Sequence, residues 1–513
     1  MANPAIQELI ENIDDDLPHS TLYREKAPAL VEAFDAGRMT PVLQEALLNS
    51  NPSQYSILKC VPGKALYLPD HIINMQYKLT IQHHTNTQTI ETLINAQLFP
   101  DLAECKTYLE KILMPIAARM AERPEIKPFA RPVAIIEHLH MALSVFPIDG
   151  QIPTLPDATD PNKMASILEE TLPEALSGEF VIKDVRLLPA HYGRYKRCVL
   201  RYSVDGIQTE TQTPQNVTVY GKIDANGLGE QIGPILSLLR EYLQKPDLPY
   251  RFRVPHSFGY LPDLKLLLME ALPGKPYFKE LLKTWTGTRD GKPSTERDVA
   301  LEQAIRACAW IAAILHGTNI KLGLQSTLET QVVKLLEEVD VLCQALPEVG
   351  AEVRSWIDQT VEFAQAYPAM ALCFSHGDFR YTQLIFDGTN GGLVDFDSIC
   401  QAEPAQDLGQ YLAYQRLSIV RVRGPNSPLS PEASEHLCAI FLDAYINASE
   451  GWITDEEVFR GRVAIYELIS LIRLALHSWE KLKGSRLKQT LSLLEERIEC
   501  QKQISLMAKH KMP

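Results

Sequence analysis

The order of apolar and polar positions divides this 513-residue chain into a first half of strand-length runs and a second half of helical spacings. Before the first strands, residues 1–50 read as helical: Thr40-Pro41 is an N-cap with proline at the first helical position, followed by Val42, Leu43, Leu47 and Leu48 at helical spacing. From Ser56 to about Gly150 the pattern predicts strands at Ile57-Leu58, Met75 to Ile81 and Thr89 to Ile94, a helix from Leu102 to Met120, and a further apolar run from Pro132. Gln151 to Asn162, rich in proline and aspartate, is the candidate linker.

A similar pattern returns after Phe180. Val181 to Leu188 and Cys198 to Val204 predict paired strands around the basic loop His191 to Arg197. Val217 to Ile223 predicts a third strand, Leu228 to Leu243 a helix, and Leu264 to Glu270 a last strand before the turn Leu272-Pro273-Gly274. Beyond Lys275 the spacing is mostly helical, with Ile305, Ala309, Ala312 and Leu315 on one face of a helix from Ala304 to His316, and a long apolar helix from Arg462 to Glu480.

One stretch interrupts the helices and carries the chemistry. In Phe374 to Asp397, FSHGDFRYTQLIFDGTNGGLVDFD, strands at Ala371 to Phe374, Leu384 to Phe386 and Leu393 to Phe396 flank a turn from Asp387 to Gly392 whose glycines and asparagine tolerate positive φ. If the hairpin closes, Asp378, Gln383 and Asp395 meet at one end. A hydroxyl attacking a nucleotide γ-phosphate needs an acceptor for its proton, and the phosphates need divalent cations on hard oxygens. Asp378 suits the first task; Gln383 and Asp395 suit the second. Taken singly, an aspartate after glycine is ordinary turn chemistry. The joint occurrence of HGD, an amide five residues on, a GG turn, VDFD and Glu403-Pro404-Ala405-Gln406-Asp407-Leu408 is far more specific.

This set resembles the catalytic stretch of the aminoglycoside phosphotransferase and choline kinase-like family, HGDxxxxN followed by a strand ending in [IV]D[FW]. The usual asparagine is Gln383 here, read as a bacterial HGDFxxxQ branch in which the same amide oxygen sits on a longer stem. The resemblance implies an α+β, protein kinase-like two-lobed fold with a small β-rich lobe and a large helical lobe. It implies ATP, or another NTP, with Mg²⁺, and transfer to a hydroxyl of a small molecule. By the same resemblance Lys222 contacts the phosphates, Glu230 orients it with Glu241 as the alternative, and Met269 to Ala271 is the hinge that meets the base. Arg380 stands where it stabilises the transferring phosphoryl group. Asp407 supports the loop through hydrogen bonds, His316 ends its helix, and Asp397 is either a second metal ligand or a solvated carboxylate. No GxGxxG loop is present, which the family usually lacks. The rival readings are a catalytically silent pseudokinase-type binding module, motivated by Gln383, and a protein kinase, disfavoured because no APE-like segment follows VDFD.

Length and composition bound this picture. The chain is too long for one core. The expected domains are 1–165, an extra N-terminal α+β domain; 175–275, the nucleotide-binding small lobe; and 276–513, the large lobe. A net charge of −14 argues against nucleic acid as the main partner. No stretch approaches 18 uninterrupted apolar residues, so no membrane span is expected. The acidic start MANPAIQELIENIDDD is unlike a signal peptide, and nine cysteines, odd in number and without CxxC, read as buried reduced thiols in a cytoplasmic protein. Tyr466, Arg473, His477 and Lys481 form one stripe, either a solvated basic face or a wall of the acceptor pocket. Finally, Leu93 to Gln97 set beside Val219 to Ile223 suggests that the first domain is a degenerate small lobe with Ala96 in the place of Lys222; an unrelated α+β domain is the alternative.

Overall fold

A computed structural model of the chain describes residues 28–49, 54–68, 71–85, 87–194, 196–276, 278–285, 288–289, 292–293, 295–387, 391–422, 431–449 and 451–511. The acidic start and the Gly388-Thr389-Asn390 part of the hairpin turn lie outside the described residues.

Alternation builds the first sheet. Tyr55–Tyr67 (β1), Ile73–His83 (β2), Thr89–Leu98 (β3), Val133–Ile136 (β4) and Met141–Val145 (β5) pair in the order β1-β2-β3-β5-β4. The period of two in β2 buries Ile73, Met75, Tyr77, Leu79 and Ile81 on one face, leaving Asn74 and Gln76 half-buried on the other. Helices Pro28–Phe34 and Ala36–Leu43 close the buried face. Asp35 caps the second by accepting from the Gly37 and Arg38 amides, and the Tyr77 hydroxyl donates to the Ala33 carbonyl at 2.7 Å.

The second sheet contains Phe180–Arg194 (β6), Arg197–Gln208 (β7) and Pro214–Asp224 (β8). After the short strand Phe252–Arg253 (β9) it is completed by Ser257–Leu261 (β10) and Leu266–Glu270 (β11), in the order β10-β11-β8-β7-β6. Both sheets therefore place their fifth strand between the third and the fourth. In both, helical residues join the third strand to the fourth (Leu102–Tyr108 onward; Gly229–Tyr242), and a 3-10 turn joins the fourth to the fifth (Glu137–Leu139; Pro262–Leu264). That turn, with Lys265 in the left-handed region, is why β11 begins at Leu266 and not at Leu264. The register also corrects the comparison made on sequence. Gln97 lies opposite Ala142 as Lys222 lies opposite Leu267, so Gln97, not Ala96, holds the place of the lysine.

The stretch Gln151 to Asn162 is not a linker. Leu155–Ala158 and Pro161–Glu169 are helices whose prolines stand in the first turn, where no amide hydrogen is needed, and Asp160 caps the second. Their Leu155, Ala158, Met164 and Leu168 pack with Cys198, Leu200, Tyr202 and Val204 in a core behind the second sheet. The unit of the second sheet thus starts just after Gly150, earlier than the expected boundary at 165.

The large lobe is built mainly from helices Glu296–His316, Leu328–Ala345, Pro347–Ala364, Pro404–Val422, Pro431–Ala448, Glu456–Glu480 and Gly484–Lys511, with short strands between them. Glu296–His316 is long and apolar enough to cross a membrane, and 61% of its apolar window is buried inside the protein. Aromatic stacking fills the centre, as in Tyr411 on Phe441 with ring centroids 3.9 Å apart. A buried ion pair ties two of its elements: Arg462 Nε and Nη2 reach the two Glu403 oxygens at 2.7 and 2.5 Å, and the Tyr466 hydroxyl and Met370 amide also donate to that carboxylate. All nine cysteines are free thiols.

Because both partners are buried, Arg462→Met should destabilise the chain by about 3 to 5 kcal/mol, the cost of leaving one buried charge unpaired. In urea unfolding, Arg462→Met combined with Glu403→Leu should recover much of that loss; a double variant no more stable than the single one would contradict this account.

Candidate active site

The loop that follows strand Cys373–Ser375 is fixed by its backbone. Gly377 has φ 74, and a Cβ there would lie 1.9 Å from the Ser398 carbonyl oxygen, so the turn admits only glycine. Asp407, in the first turn of helix Pro404–Val422, accepts from the His376 amide at 2.7 Å and the Gly377 amide at 2.9 Å. The supporting role expected of Asp407 is the one it occupies. His316 Nε2 lies 3.2 Å from the same carboxylate and its Nδ1 2.7 Å from the Tyr445 hydroxyl, so this histidine orients a buried anion rather than merely ending a helix. Burial raises the Asp407 pKa, but the hydrogen bond and charge of His316, with His376 and the amides, more than offset it; the net shift is downward.

The hairpin forms between Leu384–Phe386 and Gly391–Leu393. Its second strand stops at Leu393, short of the expected Phe396, since Asp395 takes a left-handed backbone (φ 71, ψ 58) that no strand continues. This turn aims Asp395 back at the HGD loop. Gln383 Nε2 then spans the two acids, 3.1 Å from Asp378 Oδ2 and 2.7 Å from Asp395 Oδ2. Asp378 is further held by Arg380 at 2.8 Å and by Gln410 Nε2 at 2.7 Å, while the Arg380 guanidinium lies over the Tyr414 ring. Gln410 was not anticipated. Its signal was its place three residues after Asp407, on the same helix face.

From the other lobe comes Lys222. Its Nζ lies 2.5 Å from Asp395 and 2.6 Å from Asp397, whereas Glu230 and Glu241 are both exposed on helix Gly229–Tyr242. The expected pairing with Glu230, or with Glu241, is therefore not made. The helix turns those positions to solvent and the lysine crosses the cleft to the two aspartates. Asp397 is 8% exposed, so it is no solvated carboxylate, and it also takes Arg197, which binds Asp224 at 2.6 Å as well. The neighbouring acids diverge. For Asp395 burial acts upward, but Lys222, His376 and Arg380 overcome it and hold the carboxyl well below its usual range. For Asp397 burial prevails, helped by the charge of Asp395, and the pKa is raised.

These groups rim a cavity of about 560 Å³ between the lobes, of a size suited to a nucleotide. Val199, Leu267, Met269 and Ile385 form apolar walls; Lys222, Arg380, Gln383, Asp395 and Asp397 form the polar end. Met269 lines it. Ala271 does not; Leu272 and Gly274 carry the lining onward. The stripe on helix Glu456–Glu480 is not a solvated face along its length: Tyr466 is buried on Glu403, and Arg473 is engaged with Gln331 at 2.8 Å.

Among the described residues no three His, Cys, Asp or Glu side chains form a cluster that could hold a metal. A hard cation completed by phosphate oxygens needs only one or two carboxylates. Asp395 and Asp397 supply these, and the Lys222 ammonium between them stands in for a positive charge. Gln383 would complete such a set with its amide oxygen, in place of the N–H groups it directs at both acids. The donor set fits Mg²⁺.

A β-rich lobe closing on a helical lobe, with catalytic-type acids at the seam, defines the two-lobed, kinase-like class. Residues 244–451 match the family model described as Phosphotransferase enzyme family, APH. That match takes in the acids and begins after Lys222. No curated protein matches the chain. Among solved structures, the chain is similar to choline kinase from Cryptosporidium parvum Iowa II (13% identity, 69% of this chain, 98% of that one, TM-score 0.43). It is also similar to the GDP complex of wild-type aminoglycoside 2'-phosphotransferase-IIIa (12%, 66% and 97%, TM-score 0.42) and to a choline/ethanolamine kinase family protein from Mesorhizobium loti (14%, 66% and 94%, TM-score 0.40).

Since Asp407 titrates lower when folded than unfolded, its ionised form contributes stability above about pH 4 that disappears as pH falls. Asp407→Asn should cost roughly 2 kcal/mol near pH 7. Urea midpoints measured from pH 7 to pH 3 should show the gap between parent and variant closing toward the acid end; a constant gap would remove the carboxylate from the account.

Proposed function

We propose that the protein transfers the γ-phosphoryl group of ATP, or another NTP, to a hydroxyl of a small molecule. One observation carries this reading: Asp378, Gln383 and Asp395 converge, with Lys222 from the other lobe, at the polar end of a nucleotide-sized cavity. The acceptor oxygen forms a bond to phosphorus as the bond to the β-phosphate oxygen breaks, and the hydroxyl proton passes to Asp378. Gln410 and Arg380 hold that carboxylate in place while a lone pair on Oδ1 stays available, since Oδ2 already accepts from Arg380 and Gln383. Lys222 turns from the aspartates to the α- and β-phosphates, and Arg380 is the cation poised for the transferring group. Asp395 and Gln383, with Asp397, would hold Mg²⁺, which when bound neutralises phosphate charge. Apolar Val199, Leu267 and Met269 suit the faces of a base.

A second reading, binding without turnover, has one observation in its favour: Gln383 now offers N–H groups, not oxygen, to both acids. Two variants separate the readings. Asp378→Ala should leave Mg-ATP binding near the parent's and lower turnover by about 10² to 10⁴, the range for loss of a general base. Screening purified protein for ATP turnover against sugars, amino alcohols and aminoglycosides supplies the assay, and unchanged turnover would sink the assignment. Gln383→Asn should raise the Mg²⁺ concentration needed for half-maximal activity, with partial rescue at high Mg²⁺. A variant more active than the parent at low Mg²⁺ would mark Gln383 as a degraded ligand, and nucleotide-induced thermal stabilisation without turnover on any acceptor would favour the binding module.

A further inference from the structure

The two sheet units are related by a constant step of 125 residues. It takes Ala33 to Ala158 and Tyr77 to Tyr202, and the same hydrogen bond joins each pair, tyrosine hydroxyl to alanine carbonyl at 2.7 and 2.9 Å. It takes the capping Asp35 to the capping Asp160, and left-handed His140 to left-handed Lys265. The helices that precede each sheet follow the same step: PALVEAFDAGRMTPVL, residues 28–43, stands over PTLPDATDPNKMASIL, residues 153–168. The shared Leu, Ala, Met and Leu (Leu30, Ala33, Met39 and Leu43; Leu155, Ala158, Met164 and Leu168) have no exposure in either unit. Coincidence of strand order alone could be an unrelated domain; an unchanged step through helices, caps, strands and turns could not.

At this step the cleft face of the first unit has been rewritten. Lys222, Tyr220, Leu267 and Met269 correspond to Gln97, Asn95, Ala142 and Ser144, so the cation and the apolar walls are gone. What sits on the face is the turn between β6 and β7 of the second unit. The Tyr192 hydroxyl donates to Asp149 Oδ2 at 2.7 Å and receives Asn95 Nδ2 at 2.5 Å, and its ring lies edge-on against Phe146. A small polar cavity of about 60 Å³ remains beside it, between Asn74, Gln97 and Lys196. The same hairpin carries His191 and Arg197 to the large cavity, and Arg197 reaches Asp397, the partner of Lys222. On its far side the first unit presents its own equivalent tyrosine, Tyr67, to Trp479 of the large lobe, with ring centroids 6.0 Å apart.

We infer that the N-terminal domain is a second copy of the nucleotide-binding lobe that no longer takes nucleotide and instead grips the hairpin over the working copy's phosphate site, with Tyr192 as the positioning residue. This rests on the phosphotransferase reading. Strand β7 is paired with β8 as far as Arg197, but β6 is the edge strand of its sheet, and the first copy anchors its end through Tyr192.

Tyr192→Phe tests it, because the ring stays on Phe146 and only the hydroxyl is removed. Titration with ATP and Mg²⁺ should show Kd raised about fivefold to tenfold, the scale of one or two lost hydrogen bonds, with the melting temperature close to the parent's. Asn95→Ala reaches the same hydroxyl from the other copy, so it should raise Kd in the same direction and add little in the Tyr192→Phe background. Hydrogen exchange at residues 191–197 should quicken in both variants. An unchanged Kd in both overturns the inference, and Asn95→Ala decides alone if Tyr192→Phe does not fold. Lys222→Ala separates the two levels: ATP binding that depends on Lys222 but is indifferent to Tyr192 and Asn95 defeats only this inference, whereas a parent that binds no ATP defeats both readings.

Discussion

The Lys222 ammonium, clasped by Asp395 and Asp397, is the interaction on which the arrangement of the lobes turns. One cation sits between two largely buried anions, each from the other lobe. Removing such charges from water costs several kcal/mol per ion, so the cluster holds together only while each charge has a partner. Arg197 supplies the additional positive charge that two carboxylates require, and Asp224 fixes Arg197 in turn. The two acids still do not share the field equally. Asp395 faces Lys222, His376 and Arg380 and stays ionised, whereas Asp397 pays for burial beside another anion. On the proposed function, a polyanion entering the cavity would compete for Lys222 and free both carboxylates for a divalent cation.

The catalytic-type stretch was legible because its chemistry is local. Asp378, Gln383 and Asp395 lie within one hairpin's length, and a closing hairpin brings them together whatever surrounds it. Partners from distant elements were not legible in the same way. The resemblance implies a glutamate on the helix after Lys222, but which side of helix Gly229–Tyr242 faces the strand depends on packing, and the packing turns Glu230 to solvent. Arg197 looked like one charge in a basic loop. Its role appears only when the hairpin folds over and meets an aspartate two hundred residues away.

The internal repeat was half legible, and the error is instructive. Strand order and spacing suggested a copy, yet aligning Ala96 with Lys222 was wrong by one residue. In a strand that slip exchanges the two faces, replacing the polar Gln97 of the cleft by an alanine of the core. The proline-rich run at 153–161 concealed the best alignment in the chain, because prolines in a helix's first turn look like a linker until the caps are counted.

Duplication explains why the first copy's cleft is polar rather than simply filled. A lobe without a ligand leaves a concave sheet face, and collapse onto apolar residues would have closed it. Here Ser144 and Asn95 are both committed to the Ile148 carbonyl, Gln76 to Asn95, and Asp149 to the amides of Gln151 and Ile152 as well as to Tyr192. Such a face is rigid and specific for a hydroxyl at one point. Tyr67 and Tyr192 stand at the same place in the two hairpins, but one meets an indole of the large lobe and the other a socket of the first copy. The same residue thus links first copy to large lobe and second copy to first copy, each time from the end of an edge strand.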